Sequence, residues 1–189
     1  METKNDLFAS SFKAGLIIAA VGLVWFIIQY VAGIAPYGIL QSILFGLISL
    51  AVNIVLVVIF LKNYRNRNEG IISFVNAFLF CFIALACSGF LYILITFLFN
   101  KYIDPMYMTN MMEAQKTYWE NYLQGKASEQ QIADTLDKLD VQAKNATSIL
   151  QNLKSFGIIL IVGGIESLIV GAIMKKNPDV FDNASGGVI

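Results

Sequence analysis

The chain has 189 residues, of which 57% are hydrophobic and 14% charged, with no histidine and a formal net charge of zero. Charged residues make up about 25% of an ordinary soluble domain, so this composition excludes a typical water-soluble globule. Zero net charge argues against a nucleic-acid partner, and the missing histidines remove imidazole catalysis and His-based metal sites.

Four apolar runs follow in chain order: Ala14 to Ile34, Ile39 to Leu61, Ile71 to Phe99 and Ser155 to Met174. Each has 20 or more residues, and Glu166 is the only charged residue in any of them. Roughly 20 apolar residues cross a hydrocarbon core, and a helix satisfies its own backbone there. The fold class expected is all-α, an integral-membrane four-helix bundle. The first run has 21 residues, longer than the roughly 7–15 of a secretory core region, and is read as an uncleaved helix despite "GIA" before Pro36.

Basic residues set the expected orientation. Lys4 and Lys13 precede span one, Lys62, Arg65 and Arg67 lie between spans two and three, and Lys175 and Lys176 follow span four. The turn "VAGIAPYG" between spans one and two is uncharged, while the segment between spans three and four has six basic and seven acidic residues. Both termini are therefore expected in the cytoplasm. Residues 1–99 would hold spans one to three, 100–154 an extracytoplasmic helical hairpin, and 155–189 span four and a cytoplasmic tail. The basic loop "KNYRNRNEG" reads first as a topology determinant near anionic head groups, with phosphate or partner binding as its alternative.

Span three carries a stripe of small residues, Ala77, Cys81, Ala84 and Ser88. Cys81 and Cys87, six apart on one helix, read as small buried residues and not as a disulfide or metal pair. In the hairpin, Asp104 is the expected N-cap and Pro105 the first helical residue; the arm should run to about Leu123 and stop at Gly125. Ser128 and Gln131 form a capping box that restarts a helix. The first arm carries Met108, Met112, Gln115, Trp119 and Tyr122, which suit either an internal antiparallel pair or a docking surface for a partner.

The second arm has a heptad seam of Ile132, Leu136, Leu139, Ala143, Ala146, Leu150 and Leu153. The spacing continues through Gly157, Leu160, Gly164, Ser167 and Gly171, and predicts one unbroken helix from Glu129 to Met174, roughly 69 Å long. Small residues replace leucine where the seam enters lipid, as close helix packing there requires. Gly157, Gly164, Ser167 and Gly171 are expected to pack on the small stripe of span three. The sequon "NAT" at 145–147 is read as chance.

Polar residues inside the spans carry the functional weight. Asn53 and Glu166 each lie nine residues before a lysine, Lys62 and Lys175. Both should sit about 13.5 Å above those anchors by helical rise, so an Asn53–Glu166 hydrogen bond is expected if spans two and four touch. Glu166 points roughly 160° away from the glycines at 100° per residue. Its own face holds Ile159, Val162, Ile169, Val170 and Ile173 and must meet span one or two, another protein, or lipid.

The motifs "YRNRNEGIISFVNAF" at 64–78, "YIDP" at the exit of span three and "GGIESLIVGAIMKKNPDVF" at 163–181 give the chain a resemblance to domain-of-unknown-function family 4199, small membrane proteins of Bacteroidota. The resemblance implies a multi-pass protein of the bacterial inner membrane and no assigned activity or catalytic residue. Glu166 stands where it leads one to expect an aliphatic residue.

No nucleotide-binding loop, nucleophile elbow or paired-cysteine motif occurs, and no catalytic, cofactor or metal site is expected. The leading expectation is a non-enzymatic accessory or structural subunit, in contact with membrane lipids and with another membrane protein or further copies of itself. The alternative is a small oligomeric transporter or proton-linked permease using Glu166. A lipid-modifying enzyme is weakest, since clustered acids or histidines near the interface are missing.

Overall fold

A computed structural model describes residues 4–34, 37–145 and 148–176. Six α-helices run through them: α1 Lys4–Ala32, α2 Ile39–Arg67, α3 Phe74–Leu98, α4 Tyr107–Leu123, α5 Glu129–Asn145 and α6 Ile149–Met174. Helices α1, α2, α3 and α6 are each long and apolar enough to cross a membrane, so the protein is a multi-pass, all-helical membrane protein. A π-helical turn, Phe99–Ile103, extends α3.

Local chemistry sets most helix ends. Gly33 adopts φ +63°, and the amides of Gly33 and Ile34 return to the carbonyls of Tyr30 and Gln29 at 3.2 and 2.9 Å; only glycine takes this left-handed C-cap without strain. Ser73 caps α3, its Oγ accepting the Asn76 amide at 3.2 Å. The expected capping box forms: the Gln131 amide donates to Ser128 Oγ at 3.3 Å, and Gln131 Oε1 accepts the Ser128 amide at 3.0 Å. Ser128→Ala should therefore lower the stability of α5 by about 1 kcal/mol, read as faster amide exchange confined to that helix.

Two expectations fail at helix boundaries. Helix α4 starts at Tyr107, not at Pro105; Asp104 spends one carboxylate oxygen on the Met106 amide at 3.1 Å and the other on Tyr30, described below. The single helix from Glu129 to Met174 is also broken. Ser148 is extended, with φ −72° and ψ 131°, and α6 begins after it. Asparagine, serine and threonine compete for backbone groups and favour caps. Here the Asn152 side-chain amide donates to the Ser148 carbonyl at 2.9 Å. The seam consequently ends at the break: Leu139 is buried, whereas Leu150 and Leu153 are 63% and 60% exposed. Ala146 lies outside the described residues.

Helix α3 is the centre of the bundle, with α1 on one side and α6 on the other. Close approach explains both contacts. A methyl group on Gly15 of α1 would sit 2.7 Å from the Ala84 carbonyl oxygen, one on Gly89 would sit 2.5 Å from Ile159 Cγ2, and one on Gly171 would sit 3.1 Å from the Phe78 amide nitrogen. The small stripe of α3 is buried throughout, at Ala77, Cys81, Ala84 and Ser88.

The glycines of α6 do not seat on that stripe, however. Gly171, Gly164 and Gly163 face Phe78, Phe82 and Leu85, and nothing lies within 4 Å of the space beside Gly157. Ser167 is fully buried, but its hydroxyl bonds the Gly163 carbonyl of its own helix at 2.6 Å. A heptad spacing marks a face; it does not choose which row of the neighbouring helix meets it.

Helix α2 is the loosest member. Only 6% of its apolar stretch is buried, against 28% for α1 and α3, and its buried residues, Val57, Leu61 and Tyr64, fall in its second half. That end is well tied. The fully buried Tyr64 ring lies 5.0 Å from Phe80, and Arg65 Nη1 donates to the Met174 carbonyl, at the end of α6, at 3.1 Å. Arg67 Nη2 reaches Ser10 Oγ of α1 at 3.3 Å. Ile72 and Lys176 exchange two backbone hydrogen bonds of 3.0 and 2.9 Å. All four spans therefore join at one end, where the basic residues gather.

Candidate functional site around Glu166

At the opposite end of the bundle, the turn between α1 and α2 meets the hairpin. Tyr30 hydroxyl donates to Asp104 Oδ2 at 3.1 Å. The rings of Phe26, Tyr30, Phe99 and Tyr107 pack edge to face at centroid distances from 4.9 to 6.0 Å. Burial, followed by the nearby phenols of Tyr37 and Tyr30 and by Asp104, raises the Tyr107 phenol above its ordinary pKa. The ring of Tyr118 lies against Gly38, where an added methyl group would meet it at 2.9 Å. None of these contacts was evident from local sequence; the only signal was the glycine and tyrosine content of the turn.

The hairpin packs on itself. Leu139 of α5 is buried, and Lys116 of α4 forms an ion pair with Asp140 of α5. Met108, Met112, Gln115 and Trp119 are half-buried, and Tyr122 is exposed. Tyr122 stacks on Tyr118 at 6.0 Å and lies under Lys126, whose ammonium is 4.0 Å from its ring. Within α4, Trp119 also lies edge to face with Tyr118 and Tyr122 at 6.1 and 5.9 Å.

Inside the membrane-spanning part, Glu166 of α6 lies between two clefts. The first, of about 360 Å³, has Trp25 from α1, Ser49 and Asn53 from α2, Ser88 and Tyr92 from α3, and Glu166 on its walls. The second, also about 360 Å³, runs between α2 and α6, past Leu50, Ile54 and Val58 on one wall and Ile165 and Ile169 on the other. Asn53 and Glu166 are brought to one cavity, as equal helical rise from their lysine anchors requires. They do not form the expected hydrogen bond: the Asn53 amide donates to the Ser49 carbonyl of its own helix at 2.9 Å. Ser88 does the same, donating to the Leu85 carbonyl at 3.0 Å.

Among the described residues, no hydrogen bond or ion pair reaches the Glu166 carboxylate. Its helix face is divided. Val170 is buried and Ile159 rests on Gly89, whereas Ile165, Ile169 and Ile173 are 54%, 56% and 75% exposed. The loose fit of α2 leaves this side open. Cys81 and Cys87 are free thiols, the first buried and the second half-buried, and among the described residues no three His, Cys, Asp or Glu side chains group as metal ligands.

Chemically, the site offers one ionisable carboxylate with a polar cleft on one side and an apolar groove on the other, placed where a new helix or a small polar molecule could reach it from the α2–α6 side. No curated protein and no solved structure matches the chain. A family model does, over residues 13–176, a range that takes in the apolar part of all four spanning helices, the Tyr64–Arg65 contacts and the Asp104 turn. The chain belongs to the family described as Protein of unknown function (DUF4199).

Proposed function

We propose that this chain is a non-enzymatic accessory subunit of a bacterial inner-membrane complex, with both termini in the cytoplasm. The observation that carries the reading is the Glu166 carboxylate, unpaired among the described residues, on an open apolar groove between α6 and a weakly held α2. An acid inside a membrane is costly and is retained where it meets a partner or lines a pathway. A transmembrane helix of another chain, or of a second copy, that enters the groove with a lysine, arginine or amide side chain would supply the missing donor. Close packing and interhelical hydrogen bonds are the forces that join helices in lipid. The gathering of Lys13, Lys62, Arg65, Arg67, Lys175 and Lys176 near one end of the spans supports the orientation.

Crosslinking and mass spectrometry after gentle-detergent purification should recover a partner from wild type and lose it from Glu166→Leu. The same substitution should lower the cost of inserting α6 into the membrane by about 2.5–3.5 kcal/mol, the scale on which insertion penalises a central charge. A monomer without partner under several conditions, or partner recovery indifferent to Glu166→Leu, would sink the proposal.

The second reading, a small oligomeric transporter or proton-linked permease, is favoured by the polar lining that Ser49, Asn53 and Ser88 give the first cleft. It requires Glu166→Gln to alter flux in proteoliposomes; unchanged flux would remove its main support.

A further inference from the structure

We propose that a cleft at the basic end of the bundle, between α1, α2 and α3, binds the phosphodiester headgroup of an anionic phospholipid. This inference stands apart from Glu166 and from any partner. The cleft has a volume of about 290 Å³. Ser10 and Lys13 come from α1, and Asn63 and Arg67 come from α2, so donors on two helices converge on one space. The Arg67–Ser10 hydrogen bond of 3.3 Å, at the exposed rim, holds the guanidinium at the cleft. Arg67 retains further N–H groups for an anion, since its fork carries five donors.

Depth and shape select a lipid over a free anion. Lys13 is the last charged residue before the apolar run of α1, and Arg67 is the last residue of α2. The cleft therefore lies where the charged boundary of the membrane meets hydrocarbon. Its remaining walls, Ile17, Phe60 and Phe80, are apolar, and Ile17 is 48% exposed on the lipid-facing side of α1. A phosphate at the rim can thus keep its acyl chains in the bilayer while its glycerol backbone lies along Ile17 and Phe60.

The charges also define the headgroup. Lys13 and Arg67 contribute two positive charges and Asp6, on the same cleft, one negative. The net charge of plus one matches a single phosphodiester. A choline lipid has no net charge and leaves the cleft's plus one unbalanced, whereas an anionic glycerol lipid cancels it and has hydroxyls that can donate to Asp6. Charge-assisted hydrogen bonds to phosphate oxygens are among the stronger polar contacts. Of the other two basic residues on this part of α2, Arg65 is turned toward the end of α6 and Lys62 does not line the cleft.

Native mass spectrometry of the full chain in mild detergent, titrated with phosphatidylglycerol or phosphatidylcholine of the same acyl chains, tests this assignment. Wild type should bind phosphatidylglycerol about tenfold more tightly, one good charge-assisted contact's worth of discrimination. Lys13→Gln with Arg67→Gln should abolish that preference, while Lys62→Gln should leave it intact. Lys13→Gln alone, at an exposed position, should weaken it severalfold and serves if the double variant fails to fold. Equal binding of the two lipids would overturn the proposal, as would a preference that survives loss of Lys13 or falls equally with Lys62→Gln. Inorganic phosphate that binds as tightly as the lipid would make the cleft a simple anion site and overturn it too.

Discussion

Tyr64→Ala should release α2 from the bundle while leaving α1, α3 and α6 together. The ring is fully buried and lies against Phe80, and with Val57 and Leu61 it makes up the buried part of α2. Truncating a buried aromatic leaves a cavity and costs about 3–5 kcal/mol in water-soluble cores. Near lipid the transfer contribution is smaller, so about 3 kcal/mol is expected here. Hydrogen exchange in detergent should show α2 amides exchanging faster with those of α3 little changed, alongside a lower melting temperature. An unchanged melt would mean that Arg65 and the apolar contacts of Val57 and Leu61 hold α2 without the ring.

Gly15→Val is the second large effect, and it falls on the contact between α1 and α3. Its Cβ would lie 2.7 Å from the Ala84 carbonyl oxygen and 2.8 Å from Cys87 Cβ. A carbonyl in the middle of a helix cannot move aside alone, so α1 and α3 must separate. Overpacking of this kind costs about 1–3 kcal/mol, and the upper half of that range is expected because backbone is the obstacle. Gly46→Ala and Gly157→Ala, with nothing within 4 Å, should be neutral or stabilising by up to about 1 kcal/mol through helix propensity. Thermal melts of the three variants side by side would decide it. If Gly15→Val and Gly157→Ala fell together, the α1–α3 contact would not be the tight one.

These two residues also show how far the sequence could be read. The spans were legible because about 20 consecutive apolar residues match the hydrocarbon thickness and exceed the length of an ordinary buried helix segment. The capping box at Ser128 and the stop at Gly125 were legible because they depend on neighbours three or four positions away. Gly15 was not singled out, since a lone glycine in an apolar run carries no record of the carbonyl that crosses it.

Tyr64 and Arg65 stood in a motif but read as loop and topology signals; their partners, Phe80 and Met174, are distant in sequence. Conversely, Gly157 fitted the spacing and meets nothing, because the chain is interrupted at Ser148 and the register of the first half does not carry over. Asn53 and Glu166 line one cleft, as equal helical rise from Lys62 and Lys175 anticipates. Whether they bonded depended on where the Asn53 amide turned, and its own helix offered the nearer acceptor.

The interruption at Ser148 has a mechanical consequence. A continuous helix from Glu129 to Met174 would act as a stiff lever, turning any push on the hairpin tip into rotation of the segment that bears Glu166. With the helix axis interrupted, a load on the hairpin has a second route into the bundle, through Asp104 and Tyr30 into α1 and through Tyr118 into the start of α2. The member that would respond first is the least firmly packed of the four spans, and it forms the other wall of the groove beside the acid. Something grasping the hairpin could thus widen or narrow that groove without twisting α6 at all.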